Sequence, residues 1–377
     1  MKGDALGGGP TKYIFRLAYK TKVGLWTPRR HRLKRPPNLR ARHQKGFRSL
    51  PLPEETRRKR SIQFYRIFAC MKLVVAGTMA LDTIETPYGR AERIVGGAAT
   101  YIALAAASLT QPVGIVSIIG TDFPTEMLTE LEKRGIDLQG VVRHLSKPSF
   151  FWAGRYKADM QSRDTLETQL NVLTEFPDTI PPAYRSAPFL LLGNLDPVLQ
   201  LRIYQQMNPR PQVVMLDTMN YWIQNRRDAL EEALSIATIV SINDEEAREL
   251  VGHYSLRRCA RVILEKGPHY LLIKKGENGS LLFTKEGEIF FFPAYPLEDV
   301  FDPTGAGDTF AGGIMGYLAQ VGRLTLQTLQ EGIIHGTVLA SLCVERFGPT
   351  ALLEATPAEI QARKKALIRM SHFMALS

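Results

Sequence analysis

The sequence predicts an α/β protein built on a mostly parallel sheet, with a smaller separate sheet beside it. Two observations carry that expectation. From Met71 onward, short runs rich in β-branched residues alternate with helix-length segments, the pattern of a parallel sheet covered by helices. Two further segments, Thr83 to Val95 and Ser149 to Met160, break the alternation and read as extended, with polar and aromatic residues mixed. No repeat of fixed period is present.

Leu73-Val-Val-Ala-Gly77 reads as a buried strand ended by glycine. Gly96-Gly97 opens a small-residue helix over Ala98 to Leu109, and Val113 to Ile119 forms the next strand, closed by Gly120. Pro124 to Arg134 is an amphipathic helix. Strands are expected at Phe189–Leu192, Gln212–Leu216, Ala237–Ile242 and Tyr270–Lys274, with helices at about 197–206, 225–234, 244–251 and 255–265. Ser280–Thr284 and Ile289–Phe292 flank the turn Lys285–Gly287 and pair best as an antiparallel hairpin. The last third is helical: Ala306 to Gln320, Leu324 to Val344 and Pro357 to Arg369.

Of the 377 residues, 45% are apolar and 23% charged, an ordinary globular composition that excludes wholesale disorder and collagen-like repeats. Cys70, Cys259 and Cys343 are too few and too far apart for a disulfide framework or a zinc pattern, so a reducing, cytoplasmic compartment is expected. No uninterrupted apolar stretch is long enough to suggest a membrane span. The formal charge of +11 is unevenly distributed: residues 1–70 carry +16, and the remaining 307 residues carry −5. The basic segment has scattered prolines, the run Arg57-Arg58-Lys59-Arg60 and no sustained apolar period, so disorder is expected there. It reads as an arm for nucleic acid or an anionic surface, as a targeting segment, or as no part of the working protein. The domain division is therefore 1–70 and 71–377.

Chemistry concentrates in Val300-Phe-Asp-Pro-Thr-Gly-Ala-Gly-Asp-Thr-Phe-Ala-Gly-Gly313. An extended segment enters, Gly305 and Gly307 allow a tight turn, and a small-residue helix leaves. Free amides at such a helix start, with the helix dipole, suit phosphate oxygens. Asp308 lies in the first turn, where a carboxylate beside phosphate can take the proton of an attacking hydroxyl. Read alone, an Asp there only complements the dipole. A GxxxxGK[ST] loop is absent and Gly77 lacks the GxGxxG spacing, which argues against P-loop kinases and Rossmann dehydrogenases.

Asp302-Pro-Thr-Gly-Ala-Gly-Asp308-Thr-Phe resembles the C-terminal signature of the PfkB family of carbohydrate kinases, of ribokinase-like fold. Supporting motifs follow in family order. Gly96-Gly97 is similar to the N-terminal diglycine motif, Gly120-Thr-Asp122 to the GxD turn, Asn243-Asp-Glu-Glu246 to the NxxE motif, and Lys274-Lys-Gly-Glu-Asn-Gly279 to the nucleotide-side strand and turn. Taken singly these have plainer readings: a capping box at Asn243–Glu246, a helix start at Gly96–Gly97, a solvated strand end at Lys274. The resemblance spans about residues 72–355.

The resemblance implies a three-layer α/β/α domain with a β lid built from about 83–95 and 148–160, which in the family can also form a homodimer interface. It implies transfer of the γ-phosphoryl group of MgATP to a hydroxyl of a sugar or related polyol. Asp308 would be the base and Gly305, Ala306 and Gly307 the anion hole. Asn243, Lys274, Gly276 and Gly279 would contact the nucleotide, and Glu246 would hold Mg²⁺ through water. Asp82, Gly96 and Gly97 would bind the acceptor, with the lid residues Arg155 and Tyr156 covering it. Asp302 and Thr304 match positions that bind a monovalent cation such as K⁺ in some members. Three positions depart from the pattern: Ala80 and Tyr101 stand where many sugar kinases have Asn, and Thr337 replaces another Asn near the nucleotide base. The first two lie on the acceptor side, so a nucleoside kinase is the alternative. The other is a catalytically reduced nucleic-acid-associated or scaffolding protein acting through the basic arm.

Overall fold

The computed structural model describes residues 70–371; apart from Cys70, the expectations for 1–70 lie outside them. The strands are β1 (Leu73–Ala76), β2 (Ala80–Thr86), β3 (Gly89–Gly96), β4 (Val113–Ile119), β5 (Ile136–Arg143), β6 (Phe150–Tyr156), β7 (Arg163–Gln169), β8 (Phe189–Leu192), β9 (Val213–Asp217), β10 (Ile239–Asn243), β11 (Tyr270–Lys274), β12 (Ser280–Thr284) and β13 (Ile289–Phe292). Nine of them form one sheet in the order β13-β12-β11-β10-β9-β8-β1-β4-β5. The pairs from β5 through to β11 are parallel, and the hairpin β12–β13 closes the edge antiparallel.

Apolar runs suit this sheet because both faces are covered. In β1, Leu73 and Val75 point into one core and Val74 and Ala76 into the other. The first core packs against helices α1 (Ala98–Ala107), α8 (Ala306–Val321) and α9 (Leu326–Cys343). The second packs against α3 (Pro197–Gln205), α5 (Arg227–Ile236), α6 (Asp244–Val251) and α7 (Leu256–Leu264). That is the expected three-layer α/β/α arrangement. All ten residues of α1 are buried, as befits a helix apolar all round. It can lie close to α8 because a Cβ on Gly312 would come within 2.4 Å of the Ile102 carbonyl oxygen.

The lid is a four-stranded sheet in the order β3-β2-β6-β7. The two expected segments supply three of its strands, and the fourth, β7, lies beyond them. Its sequence, Arg-Asp-Thr-Leu-Glu-Thr-Gln, is exposed throughout, so no apolar alternation marks it. Strand β5, at the main-sheet edge, was also not anticipated. The helix expected near 225–234 is α5, and a short helix not expected, α4 (Asn220–Asn225), precedes it. Asp122 ties the lid's base: its Oδ1 accepts from the Ser149 amide at 2.7 Å, and its Oδ2 pairs with Arg93 at 2.6 Å. Among the described residues no helix is long and apolar enough to cross a membrane.

Candidate active site

Chain order fixes where a ligand can sit. The chain leaves β1 toward β4 on one side and later returns to β8 on the other, so the carboxyl ends of β1 and β8 face a topological switch point, where open α/β sheets place ligands. Strands β9, β10 and β11 end nearby on Asp217, Asn243 and Lys274, with Asn243 and Lys274 level in the parallel register. Lys274 Nζ lies 3.1 Å from Asp217 Oδ2, and a Cβ on Gly307 would stand 3.1 Å from that same Nζ. The ammonium group therefore bridges the strand ends and the 305–307 turn.

The turn needs glycine for two physical reasons. Gly305 precedes α8 at φ +78°, in the left-handed region, and a Cβ there would lie 2.5 Å from the Tyr101 ring. The Ala306 N–H donates to the Pro303 carbonyl at 3.2 Å, whereas among the described residues no backbone acceptor is bonded to the N–H of Gly305, Gly307 or Asp308. Those three amides are the ones left to face an anion; Ala306 contributes chiefly to closing the turn. Asp302, fully buried, holds the turn from beneath, its Oδ1 accepting from the Thr304 amide and its Oδ2 from Gly348, each at 2.9 Å.

Asp308 is pushed up to about 7, by burial first and by the Asp217 charge second, while Lys274 and Arg163 pull the other way. A carboxyl poised near neutrality suits a general base. Glu246 is raised to about 7, mainly by burial, with Lys274 opposing. The capping box is real: Asn243 Oδ1 accepts from the Glu246 amide at 2.7 Å, and Glu246 Oε2 accepts from the Asn243 amide at 2.9 Å. The capping and electrostatic roles coexist, because the box also fixes Glu246 beside Lys274. Carboxylate oxygens and open amides are the donors of a hard cation–phosphate site. Among the described residues no group of three or more His, Cys, Asp or Glu is placed to hold a metal ion by itself.

Near the base of the lid, Asp82 is 4% exposed and raised to about 8 by burial, then by Asp302. A Cβ on Gly96 would lie 1.9 Å from Asp82 Oδ2, so the first glycine makes room for the carboxyl group. Gly97 sits at φ +88°, and a Cβ there would lie 2.5 Å from the Thr78 carbonyl oxygen and 2.8 Å from the Ala80 amide nitrogen. Tyr156 reaches the same region from the lid, its hydroxyl 3.1 Å from Thr304 Oγ1. Arg155 does not. In the β2–β6 register it sits level with Glu85, on the lid face opposite Asp82 and Trp152, and it pairs with Glu85 at 2.9 Å. Gly276 and Gly279 flank the short turn after β11, at φ +54° and +76°.

Two charged residues of this site went unnoticed in the sequence. Asp217 had a signal, an acid closing an apolar strand run at its carboxyl end. Arg163 had none, since it opens a polar segment and reaches the site only through the folded lid.

Known proteins fit this geometry. The profile described as pfkB family carbohydrate kinase matches residues 71–356. A cytidine kinase of Thermococcus kodakarensis is 33% identical over 271 residues, 69% of this chain and 95% of that protein. Two solved structures share the fold. A nucleoside kinase of Burkholderia thailandensis in complex with inosine has a TM-score of 0.64 at 21% identity, covering 79% of this chain and 99% of that one. A ribokinase II-type protein of E. coli with ATP and Mg²⁺ has a TM-score of 0.66 at 19% identity, covering 78% and 99%. With its signature turn and with most of its length matched, the chain belongs to the PfkB family of carbohydrate kinases, phosphotransferases that act on an alcohol group.

Proposed function

We propose that the protein is an ATP-dependent nucleoside kinase that phosphorylates a ribose hydroxyl of a pyrimidine nucleoside. The observation that carries this reading is the similarity to a cytidine kinase over 95% of that protein's length. The acceptor side agrees with it. Ala80 and Tyr101 stand where sugar-kinase asparagines would hydrogen-bond a free sugar, and Trp152 shares the lid face of Asp82, offering a ring to a nucleobase.

In this reading Asp82 and the Gly96–Gly97 backbone bind the ribose hydroxyls, and Tyr156 closes over them. Asn243, Lys274, Gly276 and Gly279 line the nucleotide groove, with Glu246 holding Mg²⁺ through water. MgATP supplies the γ-phosphoryl group and a cation that neutralises the phosphates. Asp308 takes the acceptor's proton while the amides of Gly305, Gly307 and Asp308 hold phosphoryl oxygens. Docking of the lid excludes water and limits hydrolysis. A monovalent cation beside Asp302 and Thr304 belongs to the same proposal and is tested by exchanging KCl for NaCl.

The deciding experiment is turnover of MgATP by the full chain against cytidine, uridine, adenosine, inosine, ribose and fructose. A nucleoside should exceed both sugars in kcat/KM by about two orders of magnitude. A sugar as the best acceptor would replace this reading with the carbohydrate one.

A further inference from the structure

We propose that Arg163 is a catalytic residue that the lid carries onto the γ-phosphoryl group. Strand register gives the direction. β6 and β7 run antiparallel with Tyr156 opposite Arg163, and residues directly opposite in such a pair project to the same face. The Tyr156 hydroxyl meets Thr304, one residue before Gly305, so that face looks onto the 305–307 turn. The Arg163 guanidinium carbon lies 5.9 Å from the centroid of Trp152, which is level with Asp82 on the same face.

The lid tip is also docked on the nucleotide side. Gln161 Nε2 donates to Glu277 Oε1 at 2.9 Å, and a Cβ on Gly276 would stand 3.6 Å from Gln161 Oε1. Arg163 follows Gln161 by two residues, so this latch sets where the guanidinium lies. Among the described residues no carboxylate lies within 4.0 Å of it, yet its field lowers both Glu246 and Asp308. An exposed arginine facing inward, without a close counterion, suits a ligand carrying negative charge.

That ligand is the phosphoryl group in transfer. The bond from acceptor oxygen to γ-phosphorus forms as the bridging oxygen–phosphorus bond to ADP breaks. The acceptor's proton passes to Asp308, and charge spreads over the three equatorial oxygens. Amides of the turn face those oxygens from one side and Arg163 from the lid side. Because the arginine rides on the lid, this stabilisation is complete only when the tip is docked, which ties transfer to coverage of the site.

The proposal rests on phosphoryl transfer and not on which acceptor is used. The test compares Arg163→Ala and Arg163→Lys with wild type, using whichever acceptor wild type turns over, and titrates MgADP and MgAMPPNP by calorimetry with no acceptor. In Arg163→Ala, kcat should fall about 10²–10³-fold, and Lys should restore about tenfold of that loss. MgAMPPNP should bind about fivefold or more weakly, while MgADP, lacking the γ-phosphoryl group, stays within about twofold. Gln161→Ala frees the tip and leaves Arg163 in place; it should lower kcat by about three- to tenfold. A kcat for Arg163→Ala within about threefold of wild type, or equal weakening of both nucleotides, would overturn the role. Unchanged kcat in Gln161→Ala would overturn delivery by the latch. Wild-type preference for a sugar would overturn only the acceptor assignment and leave these comparisons readable.

Discussion

Asp308→Asn isolates the base from its surroundings. The substitution keeps the size of the side chain and removes the ability to take a proton. Loss of a positioned general base costs about 10²–10⁴ in rate, roughly 3–5 kcal/mol of barrier. The structure adds a second, opposite effect. Burial and the Asp217 charge raise the Asp308 carboxyl to about 7, so its ionised form is held against resistance from its neighbours. An uncharged amide removes that repulsion. The variant should therefore melt at or above the wild-type temperature at pH 8, and it should bind MgADP at least as tightly. The loss should appear in kcat, with the nucleotide dissociation constant unchanged or improved. In wild type without nucleotide bound, kcat/KM should rise with pH through the region near 7 as the base ionises. The assays are steady-state kinetics with a turned-over acceptor, MgADP calorimetry and thermal melting. Turnover within about threefold of wild type would refute the reasoning and leave Asp308 a residue that merely complements a helix dipole.

Lys274→Met removes the cation paired with Asp217; breaking a buried pair costs about 3–5 kcal/mol, and the lysine's partial exposure places the loss toward the lower end, read by chemical denaturation. An unchanged midpoint would contradict the pairing. Gly96→Ala drives a methyl group into the Asp82 carboxyl, so about 1–3 kcal/mol of stability should go and acceptor KM should rise more than ATP KM. Equal changes in both constants would contradict the assignment of Asp82 to the acceptor side. Finally, Asp82, Glu246 and Asp308 all hold their protons longer in the folded chain than in the unfolded one. Raised carboxyls contribute stability that is complete below the unfolded value and is lost as pH climbs through the folded ones. His335, lowered to about 4, acts in the opposite sense but only below its ordinary value. From about pH 6.5 to about 8.5 the ligand-free melting temperature should therefore fall, and Asp82→Asn should flatten the slope. A melting temperature that rises over that interval would contradict the burial of these groups.

The strands and helices were legible wherever burial imposed a period or an unbroken apolar run. Leu73–Ala76 and Val113–Ile119 could be read because both faces of a parallel sheet must be apolar. The 302–308 turn could be read because a tight approach to an anion admits few residue types, and the structure supplies the reason in the Tyr101 ring beneath Gly305. Asn243–Glu246 looked ambiguous between cap and site, and it is a cap that also sets Glu246 beside Lys274. Strand β7 could not be read, because a lid strand exposed throughout carries no hydrophobic pattern. Nor could the sequence direct attention to Arg163 rather than Arg155, since Arg155 stands among aromatic residues and Arg163 opens a polar segment without any. Their directions follow from pairing register alone: level with Glu85, Arg155 faces away from Asp82, and opposite Tyr156, Arg163 faces the turn. A strand's side chains alternate by residue, but which face meets the site is decided by what the neighbouring strand pairs with, and that partner lies far away in the chain.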